Sequence, residues 1–257
     1  MSSLEKYMTP IDIVMITWHR PEITERTIRT IKANTLTPHK LIVIDNDSPK
    51  PMQKMLKKLA FEDKLIDELI FCEKNYGLES ARNIGLMQVT SELFVATDSD
   101  CLPPRPRDYR TDWLGDMVEL MQKYPNYAAI SARLNVMIGT GNIFDGREDD
   151  DIVQFGHPGG SLRIMRTEAV REVGGWRDEV EGRGSEETYI GAKLREGGWE
   201  TAYAVKVKCL HLFGDGESDR WGYEKDWLPS ATGHSDIYHP KLIQGDDPEE
   251  IKEYTDV

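Results

Sequence analysis

The chain is 257 residues long and carries 32 basic against 45 acidic side chains, which gives a formal net charge of −13 at pH 7. This length suits one large domain or two small ones, and a hydrophobic fraction of 39% is typical of a folded protein. So acidic a chain is a poor general binder of nucleic acid, and three scattered cysteines favour neither a disulfide framework nor a zinc site.

The sequence also lacks the usual signals for membrane insertion or export. No apolar run reaches the length of a membrane span, and the first ten residues lack the basic start and apolar stretch of a secretory signal. Because the few cysteines indicate a reducing compartment, we predict a cytoplasmic protein, with peripheral docking to a membrane left open.

Hydrophobic periodicity in the first hundred residues predicts strands and helices in alternation. Strands are predicted at residues 11–17, 40–45, 69–71 and 92–97, and helices at residues 21–34, 52–59 and 77–90. The strands are nearly continuous apolar runs, as in a sheet that is covered on both faces. This rhythm predicts an α/β fold with a mostly parallel central sheet flanked by helices.

The pattern is looser in the second half of the chain. Loops are predicted at residues 102–107 and 139–151, strands at 127–136, 160–166 and 200–210, and helices at 113–121, 167–173 and 185–196. Gly174 and Gly175 are expected to cap the short helix before them. From residue 213 the chain is polar, so we predict one domain over residues 1–212 and a tail or lid over residues 213–257.

Residues that follow the predicted strands are the candidates for a site, because ligands of an open α/β sheet bind at the carboxyl ends of its strands. The segment 17–20, with Thr17 and Arg20, follows the first strand. Asp45 ends the second strand, and Asp98-Ser99-Asp100 follows the fourth. Two acidic clusters and an arginine are therefore expected to converge on one edge of the sheet.

The aspartates at 98 and 100 suggest a metal site. In an extended segment, residues i and i+2 point the same way, so Asp98 and Asp100 would present two carboxylates to one hard divalent cation. His211 follows the last predicted strand and is a candidate third ligand. The alternatives are an Asp-rich turn and a structural histidine, since the same residue types favour turns.

A nucleotide would have to bind here without a phosphate loop. No glycine-rich phosphate motif follows the first strand, so a metal ion and an arginine would have to neutralise a diphosphate. Arg82, in the helix predicted at residues 77–90, is the candidate arginine. An ordinary solvated helix arginine is the alternative.

Two glutamates open the helix predicted at residues 185–196, where acidic side chains commonly stabilise the helix dipole. Glu187 shares a face with Ile190, Gly191 and Leu194, so it is expected to point inward, whereas Glu186 is expected to turn away from that face. Glu187 is thus a candidate general base, with Glu186 as the alternative.

Six segments resemble, in the same order, the motifs of family 2 glycosyltransferases of the glycosyltransferase A fold. They are IVMITWHRPEITERTIRTIKANT, LIVIDNDSP, NYGLESARNIGL, FVATDSDCLPP, GGSLRIMRTEAVREVGGWRDE and GSEETYIGAKLREGGWE. Each motif is loose by itself, but six in register are specific. The resemblance implies a Rossmann-like glycosyltransferase A fold and an enzyme of the hexosyltransferase type. Such an enzyme moves a sugar from a nucleotide-sugar donor, usually a UDP-sugar, to an acceptor hydroxyl with inversion and with Mn²⁺ or Mg²⁺.

The resemblance also implies roles for individual residues on the donor side. Thr17 and Arg20 would border the nucleotide pocket, and Asp45 would contact the base. Arg82 would lie near the base or the diphosphate, and Asp98 would hold the ribose or the donor sugar.

On the metal and acceptor side, the resemblance implies a second set of roles. Asp98, Asp100 and His211 would form the metal site, Glu187 or Glu186 would deprotonate the acceptor, and Trp176 and Gly160 would shape the acceptor site. The family often has Asp where this chain has Glu187, which leaves the choice of base open. The partners implied are a nucleotide-sugar donor and an acceptor that can be a glycan, a lipid-linked sugar, a protein or a modified base.

Two alternative functions are open. A sugar-nucleotide pyrophosphorylase uses a similar sheet, but carries a glycine-rich loop with a basic residue after the first strand, where this chain has TWHRPE. A catalytically inactive nucleotide-binding module is the second, although keeping the candidate metal ligands and the candidate base together favours an enzyme.

Overall fold

A computed structural model of the chain describes residues 9–106, 111–134, 143–157, 159–177 and 186–212. The tail or lid predicted at residues 213–257 lies outside the described residues, as do parts of the strand predicted at 127–136 and of the loop predicted at 139–151.

The first half of the chain alternates strands and helices as the sequence predicts. In chain order these elements are β1 (Ile11–Thr17), α1 (Pro21–Asn34), β2 (His39–Asp45), α2 (Lys50–Phe61), β3 (Glu68–Phe71), α3 (Leu78–Gln88) and β4 (Leu93–Asp98). The four strands pair in parallel in the order β3-β2-β1-β4. Pro21 and Pro51 lie in the first turns of α1 and α2, where a missing backbone N–H costs nothing.

The second half adds strands of both directions. Its elements are β5 (Cys101–Leu102), α4 (Trp113–Lys123), β6 (Tyr127–Leu134), β7 (Ile152–Gln154), β8 (Arg163–Arg166), α5 (Thr167–Glu172), α6 (Glu186–Glu196) and β9 (Glu200–His211). β8 lies antiparallel between β4 and β6, and β6 pairs in parallel with β9. β5 and β7 pair antiparallel with β9. The sheet is therefore parallel in its first half and mixed in its second.

The helices cover both faces of this sheet and bury two apolar layers. Ile13 and Met15 of β1 contribute to the layer that packs against α1, α2 and α4. Val14 and Ile16 contribute to the opposite layer, against α3, α5 and α6. A Cβ at Gly85 of α3 would overlap the side chain of Val14, so this glycine allows the helix to approach the sheet closely. The three-layer α/β fold is as predicted.

The differences from the predicted elements have local causes. β5 is two residues long and β7 three, which is too short for a periodic signal. Neither strand was predicted: β5 ends where the loop predicted at 102–107 begins, and β7 directly follows the loop predicted at 139–151. Both are strands because β9 offers them a partner edge. The positive φ angles of Gly174 and Gly175, 86° and 73°, confirm the predicted cap. Among the described residues, no helix is long and apolar enough to cross a membrane.

Candidate active site

Three neighbouring parallel strands end at the same edge of the sheet and bring the predicted residues together. In the register of β1 and β2, Thr17 lies beside Asp45, and in that of β1 and β4, Ile16 lies beside Asp98. The convergence of the first, second and fourth strand ends is therefore confirmed.

The turn between β1 and α1 is strained and positions Arg20. His19 and Arg20 both have left-handed backbone conformations, with φ of 59° and 56°, which costs roughly 1–2 kcal/mol for each non-glycine residue. The turn is held by a hydrogen bond that the His19 backbone N–H donates to Ser48 Oγ, at 2.9 Å. From this turn Arg20 Nη1 reaches Asp100 Oδ2 at 2.7 Å.

Asp100 lies between two basic side chains. Arg20 contacts one carboxylate oxygen and His211 Nε2 lies 3.2 Å from the other. Burial alone would raise the pKa of Asp100, but the positive charges of Arg20 and His211 hold it well below its usual range. Burial would likewise lower the pKa of His211, and the charge of Asp100 instead raises it to about 9.

Asp100, Cys101 and His211 are close enough together to be considered as ligands of one divalent cation. The potential ligand atoms of Asp100, Cys101 and His211 lie within 4.8 Å of one another. A carboxylate oxygen and an imidazole nitrogen suit Mn²⁺. Burial, with a hydrogen bond to Cys209, raises the pKa of the Cys101 thiol well above its usual value, which makes that thiol a poor ligand. Asp100 and His211 therefore fit a metal site with hard ligands.

The prediction that an extended Asp98-Ser99-Asp100 segment presents two parallel carboxylates is wrong. β4 ends at Asp98, and Ser99 and Asp100 form a turn that leads into β5. Asp98 pairs with Arg82 instead, whose Nη2 donates to Asp98 Oδ1 at 2.8 Å. Burial raises the pKa of Asp98; Arg82 opposes this rise and Asp100 adds to it.

Gly160 lies directly against this ion pair. A Cβ at Gly160 would lie 2.7 Å from Arg82 Nη2 and 3.6 Å from Asp98 Oδ2. A side chain at this position would therefore displace the arginine from the aspartate. Gly160, predicted to shape the acceptor site, thus lies against the ion pair of Arg82 and Asp98.

Arg82 is not a solvated helix arginine. Only 1% of its side chain is exposed, and its Nε lies 2.8 Å from Glu186 Oε1. The same oxygen accepts hydrogen bonds from Arg163 Nη2 at 2.5 Å and from Trp176 Nε1 at 2.6 Å. We call these four residues, Arg82, Arg163, Trp176 and Glu186, the Glu186 cluster.

The two glutamates at the start of α6 differ sharply in environment. The prediction that Glu186 turns away is wrong, because its side chain is only 4% exposed and the two arginines of the cluster draw it inward. Glu187 is partly exposed, and together with Ile190, Gly191 and Leu194 it lines a small cavity against the sheet, as the helical spacing predicts.

The pKa values of the two glutamates are shifted in opposite directions. Burial would raise the pKa of Glu186, but the charges of Arg163 and Arg82 lower it below its ordinary value. Burial and the negative charge of Glu186 raise the pKa of Glu187. A partly exposed carboxylate with a raised pKa is a better proton acceptor than one that is paired with two arginines.

Trp176, predicted to shape the acceptor site, is only 2% exposed. Its ring lies 6.0 Å from Arg82 Cζ and 5.9 Å from Arg163 Cζ, so it braces the Glu186 cluster. Asn83 holds its backbone, donating from Nδ2 to Trp176 O at 2.7 Å and accepting from Trp176 N at 2.9 Å. Neither Asn83 nor Arg163 was singled out from the sequence, although Asn83 lies in the recognised segment NYGLESARNIGL.

Asp45 is the last residue of β2. The residue is fully buried, and the Ser48 backbone N–H donates to its Oδ2 at 3.3 Å. Its Oδ1 has no hydrogen-bond partner within the described parts of the chain. Burial raises the pKa of Asp45. Thr17, beside it, shares a hydrogen bond of 3.1 Å with Thr24.

Asn46 is a further site residue that the sequence alone did not assign. Its Nδ2 donates to Asn75 Oδ1 at 2.8 Å, and its Oδ1 accepts from the Tyr76 backbone N–H at 3.0 Å. These bonds fix the loop that precedes α3, and α3 carries Arg82. Asn46 thus connects the end of β2 to the helix that supplies the arginine.

Comparison with known proteins points to one family. Residues 12–174 match the family model described as glycosyl transferase family 2. The structure of GalNAc-T7 with UDP, GalNAc and Mn²⁺ superposes with a TM-score of 0.66 at 15% identity, over 79% of this chain and 44% of that one. The mannosyltransferase PcManGT from Pyrobaculum calidifontis, in complex with GDP-Man and Mn²⁺, gives 0.63 at 18% identity, over 79% and 57%. S. aureus TarS 1-349 gives 0.59 at 13% identity, over 79% and 60%.

Because all three sequence identities are low, these likenesses show the fold alone. The chain spans about half the length of these structures. No curated protein sequence matches the chain significantly.

Proposed function

Because the chain belongs to glycosyl transferase family 2, we propose that it transfers a sugar from a UDP-sugar to an acceptor hydroxyl, with a divalent cation and with inversion. One observation supports this proposal most strongly. The Asp100–His211 pair and the partly exposed Glu187 flank a single chain of buried ion pairs, formed by Asp98, Arg82 and Glu186. This arrangement supports a metal site and a base on either side of the same ion pairs.

On the donor side, Asp45 supports recognition of a base that carries an N–H group. A buried carboxylate oxygen without a partner is costly, so a ligand that donates to Asp45 Oδ1 gains the hydrogen bond that the oxygen lacks. The N3–H of uracil is such a donor. Thr17 lies beside Asp45 in the sheet and borders the same space.

Asp100 and His211 would hold Mn²⁺ or Mg²⁺. When bound, the ion supplies the positive charge that makes a nucleoside diphosphate an adequate leaving group. Arg20, already 2.7 Å from Asp100, is a second positive charge within reach of a diphosphate. Arg82 keeps the Asp98 carboxylate in place to accept hydrogen bonds from ribose or sugar hydroxyls.

On the acceptor side, we assign the proton transfer to Glu187 and not to Glu186. The raised pKa of Glu187 makes it the stronger base, and general base catalysis typically contributes about 10²–10⁴-fold. Glu186 Oε1 accepts two hydrogen bonds and forms an ion pair with Arg82, so we assign it the role of holding the arginines. Direct attack of the deprotonated hydroxyl on the anomeric carbon, opposite the leaving diphosphate, inverts that centre.

The extent of the domain and the location of the protein are part of the same proposal. β9 ends at His211, which supports a catalytic domain over residues 1–212, followed by a tail or lid over residues 213–257. All three cysteines are free and buried, which suits the reducing cytoplasm that the sequence predicts.

A panel of nucleotide sugars with Mn²⁺, read by chromatography of free nucleoside diphosphate, tests the proposal. We expect release from UDP-sugars, loss of release in Asp100→Asn, and loss of transfer in Glu187→Gln. Both variants replace a carboxylate by an amide of nearly the same shape, so each removes the charge alone. Equal turnover by wild type and Asp100→Asn would contradict the metal site. No turnover with any donor would favour an inactive nucleotide-binding module.

A further inference from the structure

The outer face of α2 carries a cluster of lysines that differs from several other described lysines. Lys32, Lys40, Lys123 and Lys193 each form an ion pair with a carboxylate. In α2, four exposed lysines follow one another over three turns, at positions 50, 54, 57 and 58. Within the described part of the chain, no carboxylate forms an ion pair with any of these four.

We call these four lysines, with Met55 and Phe61, the α2 basic face. Phe61 is 64% exposed, and Met55 is partly exposed beside it. They line a surface groove of about 510 Å³ together with three of the lysines and one acidic residue, Glu62. Lys57 also lies over the ring of Phe71 in β3, with its Nζ 5.2 Å from the ring centroid. An apolar strip is thus bordered by unpaired positive charges.

Folding alone does not explain this arrangement. The opposite face of α2, with Met52, Leu56 and Leu59, already packs into the core. The helix has no acidic residue between Lys50 and Phe61, and Glu62, four residues after Lys58, forms no ion pair with it within the described structure. The chain as a whole is acidic, so four uncompensated positive charges on one helix give the molecule a marked charge asymmetry.

We propose that the α2 basic face docks the enzyme on a membrane surface rich in anionic phospholipids. Lysines attract anionic headgroups, their aliphatic stems cover apolar surface, and an exposed phenylalanine inserts at the boundary of headgroups and acyl chains. Phe61 and Met55 favour a lipid surface over an acidic peptide or a nucleic acid, because neither needs an apolar strip between the charges. The acidic remainder of the molecule is repelled from the same surface, so the enzyme would bind in one orientation.

The basic face starts near the candidate active site and extends away from it. β2 ends at Asp45 and α2 begins at Lys50, so Phe61 lies at the opposite end of α2 from the strand edge that carries the site. Docking does not depend on turnover, so its test and the test of the proposed function fail independently.

Co-sedimentation of the full chain with vesicles tests the proposal. Vesicles of phosphatidylcholine alone are compared with vesicles that also contain phosphatidylglycerol, at low and physiological salt. We expect binding to the anionic vesicles only, weakened by salt. The triple variant Lys54→Gln, Lys57→Gln and Lys58→Gln is expected to bind about 100-fold more weakly, since each lysine near an anionic surface contributes roughly fivefold.

The matched control removes three other exposed lysines, by Lys123→Gln, Lys206→Gln and Lys208→Gln, with the same change of net charge. We expect it to bind within a few-fold of wild type. Equal weakening in both triple variants would overturn the proposal, because net charge alone would then explain binding. So would absence of binding to anionic vesicles at low salt.

Phe61→Ser separates a lipid surface from other polyanions. We expect it to weaken vesicle binding several-fold, with the thermal unfolding midpoint and the release of nucleoside diphosphate unchanged. Polyglutamate in solution is expected to compete poorly with vesicles. Strong competition by polyglutamate, together with unchanged binding of Phe61→Ser, would contradict a membrane surface and point to an acidic protein partner.

Discussion

Exchanging the two neighbouring glutamates of α6 for glutamine should change stability in different ways. Glu186 Oε1 accepts hydrogen bonds from Arg163 and Trp176 and forms an ion pair with Arg82, and both arginine side chains are only 1% exposed. Breaking a buried ion pair by removing one partner typically costs about 3–5 kcal/mol. Glutamine keeps an acceptor oxygen, and Asp98 still neutralises Arg82, so for Glu186→Gln we expect the lower end, about 3 kcal/mol.

Glu187→Gln should leave the free energy of unfolding unchanged or slightly increase it. Burial and the charge of Glu186 raise the pKa of Glu187, so the folded state disfavours its ionised form at neutral pH. A raised folded pKa means that the stabilising contribution is complete below the unfolded value near 4.5 and is lost as the pH rises through the folded value. Any gain in the glutamine variant should therefore appear at neutral pH and vanish in acid.

The pKa of Glu186 is lowered, and the sign of its pH dependence is reversed. Its contribution is present above the unfolded value of 4.5 and is lost as the pH falls through the lower folded value. The difference between wild type and Glu186→Gln should therefore shrink in acid. Urea unfolding followed by tryptophan fluorescence at neutral and acid pH measures these differences directly. Equal destabilisation by the two variants, or a larger loss in Glu187→Gln, would refute the assignment of Glu186 to structure and Glu187 to chemistry.

Three further outcomes follow from the geometry of the site. Gly160→Ala should displace Arg82 and raise KM for the donor roughly 10-fold or more by steady-state kinetics; unchanged kinetics would show that the ion pair is not used. Arg163→Met removes a charge that lowers the pKa of Glu187, so the acid limb of the kcat profile should move to higher pH; an unshifted limb would exclude Glu187 as the base. Arg20→Gln removes a positive charge from the candidate metal site, so Mn²⁺ alone should bind several-fold more tightly and UDP more weakly by calorimetry; the reverse pattern would contradict the role of Arg20.

The first half of the fold could be predicted from the sequence because its strands are covered on both faces. Ile13, Val14 and Met15 are all buried, and in a strand that is covered on both faces an unbroken apolar run therefore predicts the strand. The strand ends then locate Asp45 and Asp98, because parallel strands share one carboxyl edge. By contrast, β5 and β7 are strands only because β9 pairs with them, and no local pattern reports a partner distant in sequence.

The inner organisation of the site could not be predicted, because it depends on buried charges meeting across elements. Helical spacing correctly places Glu187 with Ile190, Gly191 and Leu194. The same spacing cannot show that Arg163 of β8 and Arg82 of α3 meet at the start of α6 and draw Glu186 inward. A strand arginine in an apolar stretch is a signal of such pairing, since buried arginines are almost always paired.

The binding of Mn²⁺ in the presence and absence of UDP tests the central claim most directly. Electron paramagnetic resonance reports the free ion without any turnover, so it separates binding from transfer. We predict that UDP increases Mn²⁺ binding in wild type, that Asp100→Asn loses this binding, and that Glu187→Gln keeps it while losing transfer. Undiminished Mn²⁺ binding by Asp100→Asn in the presence of UDP would contradict the assignment of the metal to Asp100 and His211.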